Sequence, residues 1–256
     1  MNLVFSTGFL VPQMLGGGQD YFHNAPAKYP NALFATVPIL GQIPDRAKAL
    51  ASQIVQKFPA GRVHLVAHSM GGLDSRFLIS HDVQGLASSG RIASLSTIST
   101  PHLGSAVADF INAPPDLLNL PARILYETIT AAVEAMGMPV GALANLTTTY
   151  CATFNAQNPD RDDVRYFCYA GVGLYNFFLK PTHTYLQYLG RTPDEVQNDG
   201  IVTLASAKHI PLTEPPWAAD HISEVGWQID RPGFKSDFDH LAAIDRIVQR
   251  LNALPG

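Results

Sequence analysis

Val63-His64-Leu65-Val66-Ala67-His68-Ser69-Met70-Gly71-Gly72 joins an apolar run to a serine between small residues, and a helix-like pattern follows. A strand that ends in such a serine and gives way to a helix is typical of a nucleophile elbow, which exposes the serine hydroxyl at the top of a sheet. The usual pattern has glycine two residues before the serine and two after it, and here those positions are Ala67 and Gly71. Alanine has the smallest side chain after glycine, so Ser69 is a candidate nucleophile. The alternative is an ordinary glycine-rich turn.

Strand-like and helix-like segments alternate along the chain. The predicted strands cover Asn2 to Ser6, Leu33 to Val37, Val63 to Val66, Ile92 to Ile98 and Val164 to Tyr169. These strands are continuous apolar runs, which predicts a mostly parallel central sheet with helices on both faces, an α/β architecture. Functional groups in such sheets lie beyond the carboxyl ends of the strands. Because Thr7, Ser69 and Thr100 each follow a strand, we expect them to meet.

The length and composition of the chain suit one globular domain over residues 1–256. The chain is 46 % hydrophobic and 15 % charged, with a net charge of −4 and no basic block, which argues against a nucleic-acid partner. There is no apolar run long enough to span a membrane and no signal-peptide pattern after Met1. We expect a cytoplasmic protein as the sequence stands, or a secreted one if the chain is a trimmed mature form, and we favour a monomer.

The two cysteines, Cys151 and Cys168, are too few for a disulfide framework. They could form one bridge. Because Cys151 lies on a predicted helix and Cys168 inside an apolar strand, we favour two buried free thiols.

Residues 113–150 break the alternation of strands and helices. Pro114-Pro115 interrupts the chain, and apolar residues then recur at helical spacing from Leu117 to Met136. One interpretation is a helical cover packed on the sheet, and the other is a mobile cap over an apolar pocket. Both can hold, so we predict a helical cap (lid) insertion at about residues 113–150.

A serine nucleophile needs a base within hydrogen-bond reach and a carboxylate that orients the base. Enzymes built on this kind of sheet carry these groups in the order serine, acid, histidine. The candidate bases are the late histidines His183, His209, His221 and His240. Asp199 lies in an Asn-Asp-Gly turn whose amides would keep it ionised, although such turns are also common on protein surfaces. The residues favour His221, at a loop end, and leave His240 open as the alternative.

The oxyanion that forms during acyl transfer needs two backbone N–H donors. One is the residue after the nucleophile, which is Met70 here. The other comes from the loop after the first strand, Thr7-Gly8-Phe9, where the amide of Phe9 is the best candidate. The loss of one such donor typically costs on the order of 3 kcal/mol of transition-state stabilisation.

Several short motifs occur together in a characteristic order. They are Leu3-Val4-Phe5-Ser6-Thr7-Gly8-Phe9-Leu10, Tyr21-Phe22, Ala67-His68-Ser69-Met70-Gly71-Gly72-Leu73-Asp74-Ser75-Arg76, Thr100-Pro101-His102-Leu103-Gly104-Ser105, Asn198-Asp199-Gly200-Ile201-Val202 and His221-Ile222-Ser223-Glu224-Val225. In this order they resemble the bacterial family I true lipases of the α/β-hydrolase superfamily. The resemblance implies the α/β-hydrolase fold, a lipase or esterase activity, and a catalytic triad of Ser69, Asp199 and His221. It favours His221 over His240 because the residues after His221 match the family's base motif.

The chain departs from the family pattern at three positions. Thr7 stands where the family has histidine in the oxyanion loop, so the anchoring of that loop is expected to differ. Family members bind a structural Ca²⁺ through an aspartate and a glutamine that follow the catalytic histidine. Here these positions are Ser223 and Trp227, which lack the carboxylate and amide oxygens that Ca²⁺ prefers. We therefore expect no calcium site and no cofactor.

The leading hypothesis is a serine carboxylester hydrolase that acts on a small-molecule ester or lipid through an acyl-enzyme. The apolar cap and an aromatic-rich loop after residue 171 suggest an acyl-chain or aromatic ester, and the cap is the expected place of contact with a lipid interface. One alternative is an acyltransferase or thioesterase that uses the same triad. Another is a catalytically inactive binding protein of this fold.

Overall fold

A five-stranded parallel sheet forms the centre of the molecule. The computed structural model describes residues 1–8, 21–135, 140–228, 233 and 235–254. Within these ranges the strands are β1 Asn2–Ser6, β2 Leu33–Ala35, β3 Val63–His68, β4 Ile92–Ile98 and β5 Arg165–Tyr169. Their spatial order is β2-β1-β3-β4-β5, and every neighbouring pair is parallel.

Helices connect and cover these strands. The α-helices of the described residues are α1 Ala25–Lys28, α2 Ile43–Lys57, α3 Met70–Ser80, α4 Ala106–Ile111, α5 Leu120–Ala135, α6 Thr148–Gln157, α7 Lys180–Leu189, α8 Pro193–Val196, α9 Leu204–Ala207 and α10 His240–Asn252. Short 3₁₀ turns cover Val83–Gly85, Pro115–Leu117, Val140–Leu146, Phe177–Leu179 and Ser223–Val225.

The two faces of the sheet carry separate apolar clusters. Because successive side chains of a strand point to opposite faces, Val4 and Leu65 lie in one cluster and Phe5 and Val66 in the other. The first cluster includes most of the buried face of α2 together with Leu78 and Ile79 of α3. The second includes Met70 and Leu73 of α3 and the buried faces of α4, α5 and α10. The prediction of a parallel sheet covered on both faces is confirmed.

The ends of two strands differ from the sequence prediction for physical reasons. Strand β2 ends at Ala35 instead of Val37, because the Gln53 side chain bonds both backbone groups of Thr36, accepting from its N–H at 3.0 Å and donating to its carbonyl oxygen at 2.7 Å. Strand β3 continues past Val66 to His68, because Ala67 and His68 pair with the end of β4.

The described residues of the segment predicted to be a cap are mainly helical. They contain the turn Pro115–Leu117, helix α5, the turn Val140–Leu146 and the start of α6. Helix α5 buries Ile129 and Val133 in the second cluster and leaves Leu120 72 % and Ile124 58 % exposed. Helix α5 is therefore amphipathic, with one face on the body of the protein.

Candidate active site

Ser69 lies in a sharp turn between β3 and α3. Its backbone has φ 56° and ψ −133°, a conformation that residues other than glycine rarely adopt. The turn packs tightly, since a Cβ atom added at Gly72 would lie 2.0 Å from the Thr100 hydroxyl oxygen. Thr100 also donates a 2.8 Å hydrogen bond to the Ser69 carbonyl oxygen. The predicted small residues are thus needed because the ends of β3 and β4 approach the start of α3 closely.

His221 lies between Ser69 and Asp199. Its Nε2 is 3.0 Å from the Ser69 hydroxyl oxygen, and its Nδ1 is 2.7 Å from Oδ2 of Asp199. All three side chains are buried. An Nδ1–H donated to Asp199 leaves Nε2 free to accept the Ser69 proton, which is the tautomer that a general base needs.

The turn that carries Asp199 holds its carboxylate with backbone donors. The N–H groups of Ile201 and Val202 donate to Oδ1 at 2.9 and 2.7 Å, while Oδ2 faces His221. The His221 N–H also donates to the Asp199 carbonyl oxygen at 2.9 Å. Two side-chain oxygens and one backbone oxygen of Asp199 therefore fix both its own orientation and that of the base.

The other three candidate histidines, His183, His209 and His240, lie elsewhere in the structure. His183 is on α7, and burial lowers its pKa. His209 bonds Oδ2 of Asp160 at 2.6 Å. His240 is the first residue of α10, and its Nε2 donates to the His23 carbonyl oxygen at 2.6 Å. The structure brings His221, of these four, into contact with Ser69.

The structure describes one of the two predicted oxyanion donors. Met70 is the first residue of α3, and N–H groups in the first turn of a helix have no intrahelical partner, so its amide is available to a ligand. Phe9 lies outside the described residues. Two residues before Phe9, the Thr7 carbonyl oxygen accepts a 2.9 Å hydrogen bond from Nη2 of Arg46, which also pairs with Asp74 at 2.8 Å. Arg46 thus anchors the loop in which Thr7 departs from the family pattern.

A buried hydrogen-bond chain lies behind His221. The Tyr21 hydroxyl is 2.7 Å from Nδ1 of His68, and Nε2 of His68 is 2.9 Å from Oε2 of Glu224. Ser99 donates to Oε1 of Glu224 at 2.6 Å. Burial lowers the pKa of His68 well below its usual value, and burial together with the nearby Asp199 raises the pKa of Glu224 well above its usual value.

The side chains of His68, His221 and Glu224 also have the composition of a metal site, with ligand atoms within 4.8 Å of one another. His68 and Glu224 already bond each other, and His221 bonds Ser69 and Asp199. We therefore interpret the cluster as a hydrogen-bond network.

Ser223 and Trp227, at the positions where family I lipases have their calcium ligands, already donate hydrogen bonds within the protein. Ser223 donates from its hydroxyl to Oδ1 of Asp220 at 2.8 Å, and Trp227 donates from Nε1 to the Tyr21 carbonyl oxygen at 3.0 Å. The buried Asp220 carboxylate also accepts hydrogen bonds from Tyr175 and Asn176. Donors surround this carboxylate, so the residues do not fit a calcium ion, which needs oxygen ligands.

Sequence reasoning missed the roles of Arg46, His68 and Glu224 in this site. A charged residue on the apolar side of a predicted helix was the available signal for Arg46, which is fully buried on α2. His68 and Glu224 stand in the elbow motif and the His221 motif, but they lie 156 residues apart in the chain, and no local pattern pairs them.

Comparison with known proteins gives relatives in sequence and in structure. No family model matches the chain. Triacylglycerol lipase 2 of Saccharomyces cerevisiae is 32 % identical over 227 residues, which are 84 % of this chain. The chain spans 64 % of the length of that relative, less than two thirds.

Two solved structures share the architecture. A metagenomic carboxyl esterase superposes with a TM-score of 0.69 at 21 % identity, covering 98 % of this chain and 76 % of its own. The mature form of a Bacillus licheniformis lipase gives a TM-score of 0.62 at 21 % identity, covering 88 % of this chain and 86 % of its own. Over the described residues, no helix is both long and apolar enough to cross a membrane. The two superpositions show that the chain has the α/β-hydrolase fold, and its sequence is similar to that of a triacylglycerol lipase.

Proposed function

We propose that this chain is a serine carboxylester hydrolase with Ser69 as nucleophile, His221 as general base and Asp199 as the residue that orients His221. The observation that carries the proposal is the pair of contacts at His221, 3.0 Å to the Ser69 hydroxyl and 2.7 Å to the Asp199 carboxylate. The likeness to lipases and esterases supports the same reaction class. The motif order supports the narrower assignment to bacterial family I.

The first half of the reaction forms an acyl-enzyme. The Ser69 Oγ attacks the ester carbonyl carbon while His221 Nε2 takes the hydroxyl proton, and Asp199 stabilises the resulting imidazolium. The amides of Met70 and Phe9 donate to the carbonyl oxygen as it becomes an oxyanion. When the tetrahedral intermediate collapses, the C–O bond to the alcohol breaks and His221 protonates the departing alkoxide.

The second half releases the acid. A water molecule attacks the acyl carbon, and His221 Nε2 takes a proton from it. The intermediate collapses, the Ser69 oxygen leaves and regains the proton from His221, and the carboxylic acid departs. The cycle consumes water and regenerates the neutral imidazole, so the described residues supply all the proton transfers. The residues at the family's calcium positions are engaged as donors, so the proposed reaction needs no structural metal.

The proposed substrate is an ester of an acyl chain, either a lipid or a soluble ester. The amphipathic helix α5 supports this class, because it turns Leu120 and Ile124 toward solvent at helical spacing. We propose that this exposed strip is the part of the cap that meets a lipid surface.

A fluorophosphonate probe and a substrate series test the proposal together. The probe is expected to label Ser69, as mapped by mass spectrometry, and Ser69→Ala should abolish both labelling and the hydrolysis of p-nitrophenyl esters. A series from short to long acyl chains, with and without emulsion, identifies the preferred class. Hydrolysis that persists in Ser69→Ala, or labelling at another residue, would refute the proposal.

A further inference from the structure

The side-chain carboxyl of Glu224 bonds residues at the ends of two neighbouring strands. His68 is the last residue of β3, directly before the nucleophile, and its Nε2 is 2.9 Å from Oε2 of Glu224. Ser99 directly follows β4, and its hydroxyl donates to Oε1 of Glu224 at 2.6 Å. All three side chains are buried. Burying such groups is costly unless each is hydrogen-bonded, and these bonds connect the turn Ser223–Val225 to both strands.

The end of the third strand, β5, closes around the same carboxyl group. Gly171 lies two residues after β5, and a Cβ atom added there would be 2.1 Å from Oε1 of Glu224. The Gly171 N–H donates to the Ser99 hydroxyl oxygen at 3.2 Å, and the Ser99 N–H donates to the Tyr169 carbonyl oxygen at 2.9 Å. Ser99 has φ 43°, a strained conformation that persists only where the surrounding structure holds it. The carboxyl group therefore lies in a fixed position at the carboxyl ends of β3, β4 and β5.

The loop that Glu224 fixes also carries the base. The Glu224 N–H donates to the Asp220 carbonyl oxygen at 3.0 Å and closes a backbone turn that contains His221. At the start of this turn, the His221 N–H donates to the Asp199 carbonyl oxygen at 2.9 Å. The loop of the base is therefore held to the acid turn by a backbone bond and to the strand ends by the Glu224 side chain.

Glu224 does not itself bond the imidazole of the base. Its Oε2 is 4.0 Å from Nδ1 of His221, which is beyond hydrogen-bond distance, whereas Oδ2 of Asp199 is 2.7 Å from that nitrogen. The His68 ring, which Glu224 holds, packs on the His221 ring with 4.6 Å between the centroids. Glu224 therefore acts on His221 through the position of the loop and of the neighbouring ring.

We propose that Glu224 is a positioning residue for the base. Its bonds to His68 and Ser99 hold the loop against the strand ends. The position of the loop sets the 3.0 Å separation between Nε2 of His221 and the Ser69 hydroxyl oxygen. The inference rests on the proposed ester hydrolysis. Because a misplacement of about 1 Å can cost on the order of a hundredfold in rate, losing these bonds should lower kcat while KM hardly changes.

The first comparison is Ser99→Ala with Ser96→Ala on a soluble p-nitrophenyl ester. Both serines are buried, and each variant removes one hydroxyl. The Ser99 hydroxyl bonds Glu224, whereas the Ser96 hydroxyl on β4 has no hydrogen-bond partner in the described part of the chain. For Ser99→Ala we expect kcat, and the rate at which a fluorophosphonate labels Ser69, to fall about tenfold with KM within about twofold. For Ser96→Ala we expect wild-type values.

The second comparison is Glu224→Gln with Glu224→Leu. Burial and the nearby Asp199 raise the pKa of Glu224 well above its usual value, which favours the protonated carboxyl group. Glutamine has the shape of that group, so its amide can accept from Ser99 and donate to His68, whereas leucine loses both bonds. We expect kcat to fall no more than about threefold in Glu224→Gln and about thirtyfold or more in Glu224→Leu. Equal losses would contradict a role that depends on these bonds.

A double variant tests whether Ser99 acts through Glu224. In the Glu224→Leu background the Ser99 hydroxyl has lost this acceptor, so adding Ser99→Ala should lower kcat no further. Circular dichroism and melting curves confirm that each variant is folded at the assay temperature. If Glu224→Leu does not fold, Ser99→Ala measured against Ser96→Ala still decides the inference.

The outcomes distinguish this inference from the proposed function. Hydrolysis that persists in Ser69→Ala removes the proposed function and the inference with it. If Ser69→Ala is inactive while Ser99→Ala keeps the wild-type kcat and labelling rate, the triad stands and the positioning role of Glu224 is refuted. An equal loss of kcat in Ser96→Ala, or losses that multiply in the double variant, would also refute it.

Discussion

Ser69 combines a reactive position with a strained backbone. Its φ of 56° is unfavourable for any residue that has a Cβ atom, and such conformations cost of order 1–3 kcal/mol. The strain is held by specific contacts, since the Ser69 N–H donates to the Ile98 carbonyl oxygen at 2.9 Å and Thr100 bonds the Ser69 carbonyl. The fold thus keeps the hydroxyl at the turn at a cost in stability.

This strain predicts a difference between two inactive variants. Ser69→Gly relieves the backbone strain, which raises the free energy of unfolding. Glycine also gains entropy in the unfolded chain, which lowers the free energy of unfolding by roughly 0.5–1 kcal/mol, but the relief of strain is expected to be larger. We expect Ser69→Gly to be about 1 kcal/mol more stable than Ser69→Ala in urea unfolding, with equal m values. An alanine variant as stable as the glycine variant would contradict the strain.

At the scale of elements, the loop that carries His221 is fixed by hydrogen bonds to Asp220. Its carboxylate joins the turn Ser223–Val225 to Tyr175 and Asn176, which precede the turn Phe177–Leu179. Because hydrogen-bond donors already engage both carboxylate oxygens, we expect a chelator such as EDTA to leave the melting temperature of the purified protein unchanged. A fall of several degrees, reversed by added Ca²⁺, would contradict this account of the loop.

The exposed strip of α5 gives a second prediction at this scale. Ile124→Ser removes an apolar side chain that is 58 % exposed, so it should slow the hydrolysis of an emulsified long-chain ester several-fold. The rate on a soluble short-chain ester should not change. Val55→Ser on α2, which also alters an exposed apolar residue, is the control and should leave both rates unchanged. An equal effect of Ile124→Ser on both substrates would argue against a role at the lipid surface.

At the scale of the whole molecule, both cysteines are free and lie in the interior. Burial raises the pKa of the Cys151 thiol to about 12. At pH 8 only about one Cys151 in ten thousand is then a thiolate, the form that reacts with disulfide reagents. We expect the folded protein to be nearly inert to Ellman's reagent at pH 8 and to release two equivalents once unfolded. A rapidly reacting thiol in the folded state would contradict the packing around α6 and β5.

The fold could be predicted from the sequence where the signal is local. The apolar runs of β3 and β4 and the small residues around Ser69 identify a buried sheet and its elbow, and the structure confirms the sheet. The end of β2 could not be predicted, because it depends on a side chain of α2, Gln53, that bonds Thr36.

The candidate site also contains residues that local motifs predict and residues that they do not predict. The positions of Ser69, Asp199 and His221 follow from motifs in a fixed order, and the structure brings these three side chains together. The pair of Arg46 with Asp74 and the path from Tyr21 to Glu224 join residues far apart in the chain. Such contacts depend on how the strands stack, and a single sequence carries no local pattern for them.

The central claim is that Ser69 and His221 act as one unit, and a double-mutant cycle on kcat tests it most directly. With a soluble p-nitrophenyl ester, Ser69→Ala and His221→Ala should each lower kcat by on the order of 10⁵–10⁶, and the double variant should be scarcely slower than either. His240→Ala, which alters a histidine bonded to the His23 carbonyl oxygen, should keep wild-type kcat. Losses that multiply in the double variant, or activity kept in His221→Ala and lost in His240→Ala, would contradict the account.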